Sequence, residues 1–249
     1  MDTERSAAEN PSSTAGSRSD NGSRSTGGPR PAAGPRSTAR RPRGAVREGL
    51  IAAGLQLARA GGPDAVVLRE ATRIVGVVPN AAYRHFADRD ELLAAVCAAA
   101  MDELGTRMAA AVAAVPGERG DADAAFGRMA AVGTAYLDFA RTEPKLFATA
   151  FAVPEQHPYF IPANATGSDR TPLAQLRDVL DELVEVGLLD PRRREGVEFP
   201  VWSTVHGLAV LIEQGPLRAA PEEDIRLVTD KVLGFIAESL LAGVPESGA

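Results

Sequence analysis

The sequence predicts an all-α protein: an N-terminal three-helix helix-turn-helix unit followed by a larger helical domain. Three observations carry this. Apolar residues between about 46 and 242 recur at steps of three and four, with no sustained two-residue alternation of the strand type. Gly and Pro stop signals, such as Gly61-Gly62-Pro63 and Pro116-Gly117, divide these stretches into helix-sized pieces. The chain has 249 residues, 45% hydrophobic and 24% charged, which is enough for one large or two small domains with ordinary globular composition.

Residues 2–45 contain no Val, Ile, Leu, Phe, Tyr or Trp. Such a segment cannot bury enough apolar surface to offset the entropy of ordering it, so residues 1–43 are expected to be a disordered tail. Its Arg residues crowd toward the folded part, at Arg36, Arg40, Arg41 and Arg43. Two readings fit: a solubilising tail, or an arm that meets DNA phosphates or a minor groove. Residues 44–92 are expected to form the helix-turn-helix domain, 93–243 the second domain, and 244–249 a short C-terminal tail.

The first helix begins at Val46, carries Leu50, Ile51, Leu55, Leu57 and Ala58, and ends at Gly61-Gly62-Pro63. A short helix over Leu68–Val75 stops at Gly76, and another spans residues 79–85. Asp88 followed three residues later by Glu91 is a capping-box pattern, opening a longer helix through Met108 or Val115. Further helices are expected at 122–141, 144–152, 172–187, 195–214 and 222–242. Between 154 and 172, four prolines punctuate a loop containing HPYF and NATGSD, long enough to be functional or mobile. The Arg192-Arg193-Arg194 run reads as a solvated helix start in preference to a second DNA contact.

Charge is divided unevenly. The net charge is −6, yet residues 1–89 hold 14 Arg against 8 acids, while residues 90–249 hold 13 Arg or Lys against 25 acids. A basic front and an acidic back suggest modules with different partners. One cysteine, Cys97, excludes an internal disulfide framework and a multi-Cys zinc site, and reads as a buried apolar side chain. No stretch approaches the roughly 20 apolar residues of a membrane span, and no apolar core follows a basic start. A cytoplasmic protein without membrane contact is expected.

The informative stretch is residues 68–86, LREATRIVGVVPNAAYRHF. Two short helices joined by Gly76-Val77-Val78 have the helix-turn-helix layout. Gly76 supplies the positive φ of a tight turn, and Pro79 suits a first helical position. The second helix would present Asn80, Ala81 and Arg84 to a major groove, where Asn matches adenine and Arg matches guanine. Tyr83 and His85 would donate to phosphates.

These residues resemble the N-terminal domain of TetR-family transcriptional regulators. The features that match are GLIAAGLQLARAGG, the ending Tyr83-Arg84-His85-Phe86, and Asp88-Arg89-Asp90-Glu91-Leu92-Leu93. Residues 136–147 are similar to a recurring ligand-domain segment. Trp202-Ser203-Thr204-Val205-His206-Gly207 resembles the Trp-His-Gly type of TetR C-terminal domain. The resemblance implies a homodimer that reads a double-stranded DNA operator, a small-molecule pocket in the C-terminal domain, and phosphate contacts at Arg69 and Arg89. One departure stands out. Family members usually carry Ser or Thr just before each short helix, where this chain has Val67 and Val78, so both helix starts lack a side-chain cap and a hydroxyl for the DNA backbone.

In the second domain Phe126, Tyr136, Phe139, Phe147 and Phe151 wall an apolar effector cavity or pack an ordinary core. Trp202 and His206, four apart on one helix face, either line that pocket or are buried. Phe199, Trp202, Val205, Ala209 and Ile212, with Ile225, Val228, Val232, Phe235 and Ser239 on the last helix, give apolar stripes that suit a dimer seam or the chain's own core. His157 beside Glu155 is too sparse for a metal site, and no phosphate loop, dinucleotide fingerprint, zinc-helix motif or nucleophile elbow is present. No cofactor, metal or catalysis is expected. The expected function is transcriptional regulation, as a repressor released from a palindromic operator by a small molecule; the rival is a ligand- or protein-binding module of the same descent with impaired DNA binding.

Overall fold

The computed structural model describes residues 43–152 and 171–241, and among these the regular structure is entirely helical. The tail, the His157 loop and the C-terminal end lie outside the described residues. In chain order the helices are α1 (Arg43–Gly61), α2 (Leu68–Val75), α3 (Pro79–Ala82), α4 (Arg89–Ala113), α5 (Ala122–Thr142), α6 (Pro144–Ala150), α7 (Pro172–Glu185), α8 (Glu198–Glu213) and α9 (Glu222–Leu241).

Helix ends follow local chemistry. The Asp88 carboxylate accepts from Glu91 N at 2.8 Å and so opens α4. The reciprocal bond departs from the simple capping box: Glu91 Oε2 takes the N–H of Ala87, one residue before the cap, at 2.6 Å. Asp121 and Thr171 cap α5 and α7 in the same way. Val67 and Val78 adopt the extended backbone of an N-cap but make no side-chain cap bond, so α2 and α3 start without one.

Several helix boundaries shift by one to three residues from expectation. Helix α3 stops at Ala82 instead of running to residue 85, because the chain tightens to a three-residue step where His85 N meets Ala82 O at 2.8 Å. Helix α8 starts at Glu198, since Gly196 takes a left-handed φ of 73° in the preceding turn. The arginine run is solvated at Arg192, but its two neighbours are engaged by the chain. Pro191–Arg193 forms a 3₁₀ turn, Arg193 donates to Ser239 O and Leu240 O at the end of α9, and Arg194 bridges Asp181 and Glu198. It thus satisfies orphan carbonyls of α9 and ties α7 to α8.

Helix α4 is the spine, packing against α1, α5, α6 and α7, and it runs unbroken through the expected division at residues 92 and 93. Gly54 of α1 lies directly against Val96 of α4, leaving no room for a Cβ. In the other half, buried Arg128 of α5 makes a bidentate pair with Glu182 of α7 (2.9 and 2.5 Å) and also donates to Gly117 O and Glu118 O. One guanidinium thereby fixes the α4–α5 turn against α7.

Candidate nucleic-acid interface and effector cavity

The basic end of the molecule is built on α2 and α3. Gly76, at φ 76°, ends α2 in the left-handed region, and its N–H bonds back to Thr72 O. Ala82 and Phe86 are buried and anchor α3, while Arg47 of α1 covers the Phe86 ring at 5.3 Å. This leaves Pro79, Asn80, Tyr83 and Arg84 exposed, with Ala81 and His85 half-buried beside them. Tyr83 is 58% exposed and Val78, at the tip of the turn, is 70% exposed. Arg69 is exposed on α2. Arg89 is engaged in the chain itself: its guanidinium donates to Val66 O and Pro63 O at 3.0 and 2.8 Å and lies near Asp64 and Asp90. It pins α4 to the turn after α1. Arg43 is the first residue of α1.

Between α4, α5, α7, α8 and α9 lies a cavity of about 390 Å³. Of the seven expected pocket residues, Phe126, Tyr136, Phe151 and Trp202 line it. Phe139 and Phe147 are instead fully buried in the core, Phe139 with Arg107 over its ring at 4.8 Å. His206 stands behind the wall. Its Nδ1 is 2.8 Å from Tyr136 Oη, and its ring packs 4.6 Å from that of Phe151. Trp202 Nε1 donates to the same Tyr136 oxygen at 3.3 Å. Burial lowers the His206 pKa from its ordinary value, favouring the neutral ring, and pushes the Tyr136 hydroxyl well above its usual range.

Most of the remaining wall comes from residues that periodicity had not marked. Met101, Met108 and Met129 contribute from α4 and α5, Leu173 and Leu176 from α7, and Leu233 from α9. A signal for part of this was present, since Met101 and Met108 are seven apart and so share a face of α4. Gly133 lets α9 approach: a Cβ there would meet Leu233 Cδ2 at 2.8 Å.

The expected seam residues divide. Val205, Ala209, Ile212 and Ile225 are buried inside the chain, with Val205 on the cavity wall, and have no area to give a partner. Val228 and Val232 are half-buried, and Phe235 is 63% exposed. The outward apolar residues of these helices are Phe199 and Leu211 on α8, with Leu227 and Phe235 on α9. The offset has a simple cause: α8 is apolar on more than one side, so its strongest stripe went to the core.

The cavity end and the basic end are joined through α6. Lys145 Nζ donates to Ala60 O of α1 at 2.5 Å, and Glu143 pairs with Arg59 of α1 and Arg107 of α4. In the middle of α6, Phe147 packs on Tyr136 with ring centroids 5.5 Å apart, and Phe151 at its C-terminal end is on the cavity wall. No group of three or more His, Cys, Asp or Glu that could hold a metal occurs among the described residues, and no described helix is long and apolar enough to cross a membrane.

Residues 129–234 match the family model for the tetracyclin repressor-like C-terminal domain. Among solved structures, a protein of unknown function from Rhodococcus sp. RHA1 superposes with a TM-score of 0.60 at 23% identity, covering 81% of this chain and 96% of that one. A protein from Shewanella sp. PV-4 described as a tetR-family transcription regulator gives 0.56 at 14% identity, covering 78% and 97%. RolR in complex with resorcinol gives 0.51 at 16% identity, covering 83% and 98%. These likenesses establish the shared fold. No curated protein sequence matches the chain.

Proposed function

Because residues 129–234 match the tetracyclin repressor-like C-terminal domain model and the chain shares its fold with a tetR-family regulator, we propose that it is a cytoplasmic repressor released from a palindromic DNA operator by a small molecule. The observation that carries the proposal is the pairing of two sites in one chain: an exposed, basic α2–α3 surface and an apolar cavity connected to it through α6.

The division of labour follows. Residues 44–92 bind DNA: Pro79 starts the reading helix, Asn80, Ala81 and Arg84 meet base edges, and Tyr83, His85 and Arg69 meet phosphates. Arg89 serves chiefly by holding α4 to the α1 turn, and Arg43 and the arginines before it add electrostatic attraction. Residues 93–243 hold the effector and pair with a second copy through Phe199, Leu211, Leu227 and Phe235, whose exposure on α8 and α9 supports a seam there. A two-fold dimer sets its reading helices about 34 Å apart, one DNA turn.

Release is a population shift. An effector that prefers a form with mis-spaced reading helices lowers operator affinity by its difference in affinity for the two forms. A 100-fold weakening of operator binding needs about 2.7 kcal/mol of coupling. Helix α6 is placed to carry it, because Phe151 meets the effector while Lys145 and Glu143 grip α1. The uncapped starts of α2 and α3 favour a second reading, a binding module whose DNA reading is impaired.

Selection of sites from randomised duplex DNA with the purified chain, followed by titration at several salt concentrations, tests both. Enrichment of a palindrome with a negative salt slope is the expected result. No enrichment from folded protein would reject DNA reading and leave the binding-module alternative.

A further inference from the structure

Resting on the effector-cavity reading above, we infer that the cavity takes a neutral, ring-containing molecule bearing a hydroxyl group, which hydrogen-bonds to Tyr136. The first element is charge. Among the described lining residues Asp230 alone carries one, and it is exposed, as are Phe126, Ala130 and Thr134. Deeper, the walls are hydrocarbon, thioether and aromatic ring. Among the described lining residues, a carboxylate or ammonium moved there would find no opposite charge and few polar groups in place of its water.

The second element is shape. A volume of about 390 Å³ falls in the range of small-molecule sites. Three methionines supply adaptable, polarizable wall, which favours contact with aromatic rings. Tyr136, Phe151 and Trp202 add ring faces and edges against which another ring packs in offset or edge geometry.

The third element is the valence of Tyr136 Oη. A tyrosine oxygen has one hydrogen and two lone pairs. The indole N–H of Trp202 fills one lone pair, and neutral His206 takes a second position through Nδ1. If His206 carries its proton on Nε2, Tyr136 donates to Nδ1 and keeps one lone pair. If the proton is on Nδ1, both lone pairs are filled and the Tyr136 hydrogen is left over. Either tautomer leaves one hydrogen-bonding position, a donor in one case and an acceptor in the other. A hydroxyl group is both, so it pairs with either form.

The test is equilibrium dialysis of the full chain against four probes of one skeleton: naphthalene, 2-naphthol, 2-naphthoate and 2-naphthylmethylammonium. The expected order is 2-naphthol tightest, naphthalene weaker by up to about tenfold, as one hydrogen bond allows, and both ions weaker still. In Tyr136→Phe the advantage of 2-naphthol over naphthalene disappears while naphthalene still binds, which also shows that the variant is folded. Either ion binding as tightly as 2-naphthol would overturn the neutral class. An equal affinity for 2-naphthol and naphthalene in the native chain, a comparison needing no variant, would overturn the hydroxyl anchor, as would an unchanged ratio in Tyr136→Phe. If none of the four binds to protein that still binds DNA, the effector-cavity reading itself fails.

Discussion

Replacing Val67 and Val78 together by Ser tests how far the two missing caps limit this protein. Both residues already have the extended backbone of an N-cap, at φ −129°, ψ 136° and φ −71°, ψ 146°, so a serine needs no rearrangement to accept from the second or third helical N–H. A serine cap contributes about 1 kcal/mol over an apolar residue. The two sites differ in what they surrender and gain. Val78 is 70% exposed and gives up almost no burial, whereas Val67 is half-buried and loses part of its own. Val67→Ser also completes a capping box with Glu70, although Glu70 is paired with Arg73 at 2.8 Å and must divide its attention. The expected gain for the double variant is therefore about 1–2 kcal/mol of stability, read as a rise in the urea midpoint at unchanged m. Operator affinity, measured by fluorescence anisotropy at fixed salt, should rise by up to about tenfold, because α3 is only four residues long and a cap favours its formed state. An unchanged urea midpoint would refute the capping argument. A raised midpoint with unchanged operator affinity would show that the valines do not limit DNA binding.

Other perturbations reach different parts of the molecule. Glu182→Leu strands the buried Arg128 guanidinium and should cost about 3–5 kcal/mol by urea unfolding, whereas Arg128→Met with Glu182→Leu recovers part of the loss. The bond to Arg128 lowers the Glu182 pKa, so its contribution is complete above the ordinary carboxylate range and is lost as pH falls through the folded-state value. The double variant should accordingly show a shallower loss of stability with acid. Gly54→Ala drives a methyl into Val96 at the α1–α4 crossing and should cost about 1–3 kcal/mol, seen as a lower Tm. Phe235→Glu should turn a dimer into monomers in sedimentation equilibrium, while Val205→Ala lowers stability without changing the oligomer; the reverse pattern would return the seam to the inner stripe. Arg84→Ala should cost about 1–3 kcal/mol and relax base preference at one position, whereas Arg69→Ala should weaken all sequences alike and reduce the salt slope by about 1.

Local signals were legible from the chain alone. Leu68–Val75 ends where Gly76 permits a left-handed turn, α4 begins at Asp88, and α7 begins at Thr171-Pro172, because each boundary is decided within a few residues by hydrogen bonds and allowed φ. The surface of α2 and α3 was legible for the same reason, since a short helix with Ala82 inward leaves few choices for Asn80 and Arg84. Arg89 was not, because its partners Val66 and Pro63 are more than 20 residues away and are backbone carbonyls, which look alike in any sequence.

The apolar helices of the second half show the same limit more sharply. Periodicity established that α5, α8 and α9 bury one side, but Phe139 and Phe147 entered the core while Phe126 and Phe151 faced a cavity. Val205 and Ile225 went inward, and Phe199, Leu227 and Phe235 were left outside. A phenylalanine or valine is equally favourable against any apolar neighbour, so the hydrophobic effect, being non-directional, does not name the neighbour. The sequence by itself determined the helices, several of their ends and the exposed side of α2 and α3. Which stripe met which, where a cavity remained between them, and which apolar face was left exposed were decided only by how five helices packed around one another.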